Sequence, residues 1–519
     1  MSADSVPNTW RIVDLQDIAE INPSLGKREI AEDTDVSFVP MQAVEAETGR
    51  IDVSRTRKFS EVKKGYTSFA EGDVLFAKIT PCMENGKMAV VPSLQNGLGF
   101  GSTEFHVLRA RGGIDPGWLY YFVSSLHYRN EAQHKMTGAV GQKRVTTAFV
   151  EQSKMPVAPS SEQKRIVEKI EELFSELDKG IESLKVAREQ LKAYRQAVLK
   201  QAFEGKLTED WRKRSNSTLS SPEAVSAKIR QHRQAVFQNQ VEEWKRELAL
   251  WERNGEAGKR PSKPRGGDSP DRPSPEHVQK MWKAPTSWQW LQIGDFAFVT
   301  KLAGFEYTDY VKYDDAGDLP VIKAENAGIL GFKPTNYSRV QSSAVAHLKR
   351  SYLNGGELLI VFVGAGTGNV ATVPHGEKFF LGPNIGMARV ETDQIDTEYL
   401  ELFLRSPWGK DMILATVKAV AQPSISMGTI RQTPVIVPPV EEQKEIVRLL
   451  KENLSAIERM DDEIEDGLKK SESLRQSILK KAFSGQLVPQ DPNDEPASVL
   501  LERIRAEKAA QPKKKRSAA

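Results

Sequence analysis

A chain of 519 residues with 73 Lys+Arg against 70 Asp+Glu, formal net charge +3, is too nearly neutral for charge alone to announce a nucleic-acid binder, so any basic surface must be gathered on one face. A single cysteine, Cys82, excludes an internal disulfide and a cysteine-cluster metal site, and seven histidines scattered without ligand spacing give metal catalysis no support. No run approaches 18 uninterrupted apolar residues and the N terminus lacks a basic-then-apolar leader layout, so the expected location is cytoplasmic, with no membrane partner.

Residues 1–160 read as a mixed unit. Short β-rich runs (Val74 to Ile79, Lys87 to Val91, Phe105 to Leu108) are separated by Gly, Pro and Asn, and Trp118 to Ser125 is a predicted helix begun after Asp115, a residue type that caps helices. A Pro-bounded strand, Met155 to Ala158, closes the unit. Asp73 with Lys78 has the residue types of a nuclease carboxylate and lysine. The second half of the chain puts Glu357 and Phe362 there, so the pair reads as a structural charge pair at a hairpin edge.

Residues 161–207 then carry a heptad pattern without proline. Ile166, Ile170, Leu173, Leu177, Leu184 and Leu191 form its seam, continued by Tyr194 and Val198, with Gly180 and Ala187 at the remaining seam positions. Residues 208–284 follow as a charged linker, with a predicted amphipathic helix around Val225 to Trp251 before a Pro, Gly and Arg-rich stretch.

From there the chain repeats itself. Pro285 to Trp288 mirrors Pro7 to Trp10, Gly355 to Ile360 mirrors Glu71 to Phe76, and Asp396 to Phe403 mirrors Asp115 to Phe122, all near an offset of 280. Residues 285–440 thus form a second mixed unit, with strands Leu358 to Val363, Met387 to Val390 and Val435 to Val437 and a helix from Tyr399 to Leu404. Residues 441–487 form a second long helix with its seam at Ile446, Leu450, Ile457, Ile464, Leu474 and Ile478. Residues 488–519 add a C-terminal helix and a basic tail, Pro512 to Arg516. The fold class is α+β: two similar mixed α/β domains and two long helices, whose equal length and seam predict an intramolecular pair.

Candidate recognition residues fall in two loops of each unit. Val363 to Asn369 is glycine-rich, but a dinucleotide loop must open a helix, whereas Val370 to Val373 reads as a strand, so a hairpin turn is predicted. Lys78, Thr80, Asn85 and Lys87 in the first unit, and Thr367 and Asn369 in the second, are the polar residues around this turn. The other loop runs through Gln142, Lys143 and Arg144 in the first unit and Gln422 and Ser424 in the second. Gln can pair with adenine, Arg with guanine, and Lys with phosphate. Equally, both glutamines can tie down their own loops by backbone hydrogen bonds, and the two readings stay open. No catalytic constellation can be assembled: the chain lacks an ATP-binding Gly-x-x-x-x-Gly-Lys-Ser/Thr loop and the Asn-Pro-Pro-aromatic motif of amino-methyltransferases.

Trp10, Gly72 to Lys78, and the helix entries Pro159-Ser-Ser-Glu162-Gln163 and Pro439-Val-Glu-Glu442-Gln443 together resemble the specificity subunits of type I restriction-modification systems. The resemblance implies two target-recognition domains, each reading one half of a split duplex DNA sequence, related by approximate twofold symmetry and held apart by antiparallel coiled-coil helices. It also implies docking of two methyltransferase subunits and of restriction (motor-nuclease) subunits, with AdoMet, ATP and Mg²⁺ on those partners and no catalysis in this chain. The competing reading is a coiled-coil scaffold with two protein-binding heads.

Overall fold

The computed structural model describes residues 6–26, 29–139, 141–215, 219–255, 260–264, 284–415 and 424–510. It divides into two compact units: Met1–Val186 with Ile464–Ala519, and Ala187–Glu463.

In the first unit Val74–Ala77 is buried at every position because both its faces are covered: Val74 and Phe76 pack into one apolar cluster and Leu75 and Ala77 into another. Its antiparallel sheet has the order Ala19–Ile21, Phe105–Ala110, Val74–Ala77, Met88–Val90. A second sheet has the order Thr56–Lys58, Asp35–Val39, Gly99–Gly101, Thr67–Phe69, with its inner pair parallel. A ribbon of Arg11–Asp14 on Lys154–Val157 joins the beginning of the unit to the strand that precedes its long helix. The second unit repeats this plan. One sheet runs Ala297–Lys301, Ile385–Val390, Leu358–Val361, Val370–Thr372; the other runs Arg339–Val340, Leu319–Ile322, Phe379–Leu381, Tyr352–Leu353; the ribbon is Gln289–Gln292 on Pro434–Val437.

The caps fall on the expected aspartates. The Asp115 carboxylate accepts from the N–H groups of Gly117 and Trp118 at the start of helix Pro116–Ser124, and Asp396 accepts from that of Tyr399 at the start of Thr397–Arg405. Asp73 is structural, as expected, but its partner differs. It forms a bidentate pair with Arg109 (2.7 Å on both arms) rather than with Lys78, and Glu357 does the same work with Arg389 (3.2 Å). Lys78 leaves the sheet at the strand's end and cannot reach back to the carboxylate, whereas Arg109 lies on the adjacent strand.

The Pro-x-x-Glu-Gln entries have a physical basis that spacing alone did not disclose. Glu162 accepts the indole N–H of Trp10 (2.9 Å), and Glu442 accepts that of Trp288 (2.9 Å). Gln163 accepts from the Asp115 N–H (3.0 Å) and donates to the Ala158 carbonyl (2.8 Å); Gln443 accepts from the Asp396 N–H (2.8 Å) and donates to the Pro438 carbonyl (2.8 Å). One short sequence therefore locks the opening tryptophan, a sheet-covering helix and the last strand onto the first turn of the long helix.

The long helices are Ser160–Phe203 and Val440–Phe483, 44 residues each, and each contributes to both units. Within the first unit Asp178 pairs with Arg475, and the Leu184 side chain packs over Gly467, so the two segments run antiparallel. Within the second, Arg188 pairs with Asp461 (2.7 Å) and Tyr194 reaches Asn453 (3.5 Å), again antiparallel.

The seam departs from a strict heptad. Ile166, Ile170, Ile446, Leu450, Ile457 and Ile478 are buried, and Leu173, Leu177, Leu184, Leu191 and Ile464 are half-buried. Leu474, expected inside, is 51 % exposed, as is its counterpart Tyr194 at 52 %, and Gly180 faces open space. Ile181, Leu468 and the arginines Arg195 and Arg475 take the inward positions instead. Two successive four-residue steps, from Leu173 to Leu177 to Ile181, insert a stutter that turns the stripe by one residue. The copy has the same stutter.

The stretch after each long helix belongs to a core. Val225 and Ile229, at the start of helix Pro222–Arg253, are buried in the second unit. Ala497, Leu500, Leu501 and Ile504 of helix Ala497–Ala510 are buried in the first. The basic tail and residues 265–283 of the linker lie outside the described residues.

Candidate nucleic-acid interface

The two candidate loops are far apart in sequence, and in each unit the fold brings them together. In the first unit Ile79 bridges to Arg144, the Thr80 N–H donates to the Lys143 carbonyl (3.0 Å), and the Val145 N–H donates to the Lys78 carbonyl (2.8 Å). In the second, Val363 bridges to Ser424, and the Ile425 N–H donates to the Phe362 carbonyl (2.8 Å). The same two-loop edge is thus built twice on different residues. In the second unit the glycine-rich segment is the predicted hairpin turn between Leu358–Val361 and Val370–Thr372.

The structure sorts the candidates. Arg144 is not available as a guanine fork, because Glu104 holds it at both arms (2.9 and 2.8 Å) and that bond keeps the Glu104 carboxyl below its usual range. Lys87 and Asn369, equivalent residues just before a strand, both hold their loop to a neighbouring hairpin. The Lys87 ammonium donates to the carbonyls of Met41 (3.2 Å) and Val44 (2.9 Å), and the Asn369 amide donates to that of Ala327 (3.3 Å). The Thr367 hydroxyl closes its own turn on the Gly364 carbonyl (2.6 Å). These residues shape the loops.

What remains outward is the reading edge. Gln142, Lys143 and Asn85 are exposed, and among the described residues their side chains make no hydrogen bond. Thr80 accepts from the Lys143 N–H (3.2 Å), and Lys78 is half-buried beside Glu104. Ser424 is exposed, while Gln422 lies outside the described residues.

Several contributors carry no local sequence signal. His106, buried in a strand, bonds the Val145 carbonyl through Nε2 (2.8 Å) and the Asn22 amide through Nδ1 (3.1 Å), the pattern of a neutral ring, and its burial lowers its pKa. In the second unit Lys301 lies over the Phe362 ring (4.6 Å to the centroid), placing a cation beside the glycine turn. Ile329 and Leu330, at the tip of the hairpin Ala327–Phe332, are 77 % and 62 % exposed and flank an open groove of about 750 Å³ with Gly364, Ala365 and Asn384.

Comparison with known proteins decides what such a duplicated edge belongs to. The family model for the type I restriction-modification DNA specificity domain matches residues 7–185 and again residues 285–469. The chain belongs to that family. This specificity subunit is 26% identical over 515 residues to the Type I restriction enzyme EcoEI specificity subunit of Escherichia coli, spanning 92% of this chain and 83% of that one. It is 38% identical over 174 residues to the EcoAI specificity subunit of Escherichia coli, covering 33% of this chain and 29% of that one. Among solved structures, a chain from a study of assembly and conformational transition of the type I R-M system superposes with a TM-score of 0.64 at 20% identity, over 93% of this chain and 99% of that one. The HsdS subunit from Thermoanaerobacter tengcongensis gives 0.54 at 18%, over 93% and 98%. The specificity subunit thus has the fold of these structures, its duplicated domains serve DNA target recognition, and the reading as a scaffold with protein-binding heads falls. Among the described residues no helix is long and apolar enough to cross a membrane.

Proposed function

We propose that each unit's two-loop edge reads one half of a bipartite, asymmetric duplex target. The observation that carries this is the pairing of a shared framework with unlike edges: Thr80, Asn85, Gln142 and Lys143 in one unit, a glycine turn with Lys301, Phe362 and Ser424 in the other. Unlike donors on like frames should select unlike bases. In this reading Gln142 contacts a base, Lys143 a phosphate, and the long helices dock two methyltransferase subunits to which restriction subunits add. The chain itself is non-catalytic. AdoMet, ATP and Mg²⁺ act on the partner subunits, in the cytoplasm where the DNA lies.

The test is to express the chain with its methyltransferase subunits and map methylated adenines across the host DNA. The expected result is one split sequence with two different halves. A palindromic or continuous target would overturn the reading.

A further inference from the structure

One position of the two-loop edge is closed in the first unit and open in the second. The Lys78 N–H donates to the Glu104 carbonyl (2.9 Å) and the Phe362 N–H to the Asn384 carbonyl (3.2 Å), so Glu104 and Asn384 hold equivalent places, each just before a strand of its sheet. Likewise Ile79 bridges to Arg144 and Val363 to Ser424, so Ser424 stands where the first unit has Arg144. In the first unit the carboxylate and the guanidinium occupy each other (2.9 and 2.8 Å). In the second the arginine is gone, Asn384 is exposed, and among the described residues its amide makes no hydrogen bond. Asn384 also takes a φ of 63°, in the left-handed region that Glu104 avoids in the matching turn.

Asn384 lines the open groove of about 750 Å³ with Gly364, Ala365, Gly366, Ile329 and Leu330. On the side of the glycine turn nothing fills it: a Cβ at Gly364 would meet no atom within 4 Å. On the other side the hairpin presents Ile329 and Leu330, both largely exposed. The equivalent hairpin of the first unit, closed by Val44 on Ile51, carries Glu45, Glu47, Thr48 and Arg50 there and ties Glu47 to Arg129 (3.3 Å). The second unit's edge therefore offers a planar amide, with one donor and one acceptor group, beside two aliphatic side chains. The major-groove face of an A·T pair presents their complements, adenine N6–H₂ with N7 and the thymine methyl. Guanine O6 and N7 are both acceptors, which would set the amide carbonyl against another lone pair, and a G·C pair has no methyl.

We propose that Asn384 is a specificity-determining residue of the second unit: its amide pairs with an adenine of that unit's half-site while the Ile329–Leu330 tip packs on the methyl of the thymine opposite. The inference deepens the reading given above and rests on it.

The test uses the full chain assembled with its methyltransferase subunits, with methylated adenines mapped in host DNA and affinities measured on duplexes carrying single base-pair changes. Asn384→Gly removes the amide and keeps the left-handed backbone without strain. It should relax one A·T position of one half-site to any base and leave the other positions unchanged. Binding to the wild-type target should weaken about 5- to 150-fold, with non-target binding retained. Asn384→Asp should move the preference at that position towards cytosine, whose N4–H₂ a carboxylate accepts. Deoxyuridine in place of the paired thymine lacks the methyl. It should weaken the wild type about three- to fourfold and the Ile329→Ser, Leu330→Ser double variant not at all. An unchanged target, relaxation at a G·C position, loss of a whole half-site, or equal weakening on target and non-target duplexes in Asn384→Gly would overturn the proposal. Wild-type indifference to deoxyuridine would overturn it for the hairpin tip. A palindromic or continuous wild-type target would instead overturn the reading beneath, and the inference with it.

Discussion

The duplicated glutamate at the entry to each long helix should respond unequally to one substitution. Glu442 is fully buried and accepts from Trp288 (2.9 Å), the Thr208 hydroxyl (2.7 Å) and the Arg212 Nε (2.8 Å), an ion pair in which Arg212 is 16 % exposed. Glu442→Gln leaves Arg212 without a counterion. Breaking a buried pair costs about 3–5 kcal/mol, and the bonds Arg212 keeps to the Gly205 carbonyl and Thr208 reduce this to about 2–3 kcal/mol. Glu162 accepts from Trp10 (2.9 Å) and from the Gln490 amide, and its nearest cation, Arg165, is bonded to Asp494 instead. Burial raises the Glu162 pKa. The folded state therefore binds more protons than the unfolded one just above the usual Glu range, and this residue's contribution falls as pH rises through its folded pKa. In Glu162→Gln the amide can still accept from Trp10, and a turned Gln490 amide can accept from it, so stability at pH 7 should stay within about 1 kcal/mol of wild type. Calorimetry resolves the outcome. With about 2–4 °C per kcal/mol for units of this size, Glu442→Gln should lower the second unit's transition by about 4–12 °C while Glu162→Gln barely moves the first. Equal losses from the two substitutions would refute the reasoning.

Three further outcomes follow. Because burial lowers the His106 pKa, the unfolded state binds the extra proton as pH falls below about 6.5; stability of the 142–145 loop should therefore drop between pH 7.5 and 5.5, seen as a smaller hydrogen-exchange protection factor at the Val145 amide once the rate is divided by the intrinsic rate at each pH, and His106→Gln should flatten that dependence. The stutter predicts that Leu474→Glu changes stability by less than about 0.5 kcal/mol whereas Leu468→Glu costs about 1–2 kcal/mol, checked by chemical denaturation. Lys143→Ala should weaken binding of the assembled complex by a similar factor on target and non-target duplexes and reduce the slope of log affinity against log salt by about 1, measured by fluorescence anisotropy.

The duplication, the capped helices, the buried strands and the long helices were legible because each is a local or periodic signal: Asp115 and Asp396 sit at a fixed distance from an apolar run, and Val74 to Ala77 is continuously apolar. The phase of the seam was not, because Leu474 satisfies a heptad as well as Leu468 does and only packing against the partner helix chooses between them. The candidate loops were found from their matched offset, but the roles within them were hidden. Arg144, Lys87 and Asn369 have the residue types of DNA readers, and partners distant in sequence, Glu104 on a loop before a strand and the carbonyls of Met41, Val44 and Ala327, assign them to the scaffold. Ile329, Leu330 and Lys301 gain importance only from where the tertiary fold places them.

The central claim is that each domain reads its half-site independently. Residues 285–435 are replaced by the same region of another member of the family, and the methylated sequence in host DNA is mapped before and after. The account predicts that one half of the target changes while the half assigned to the first unit is retained base for base. A change in both halves, or in neither, would contradict it.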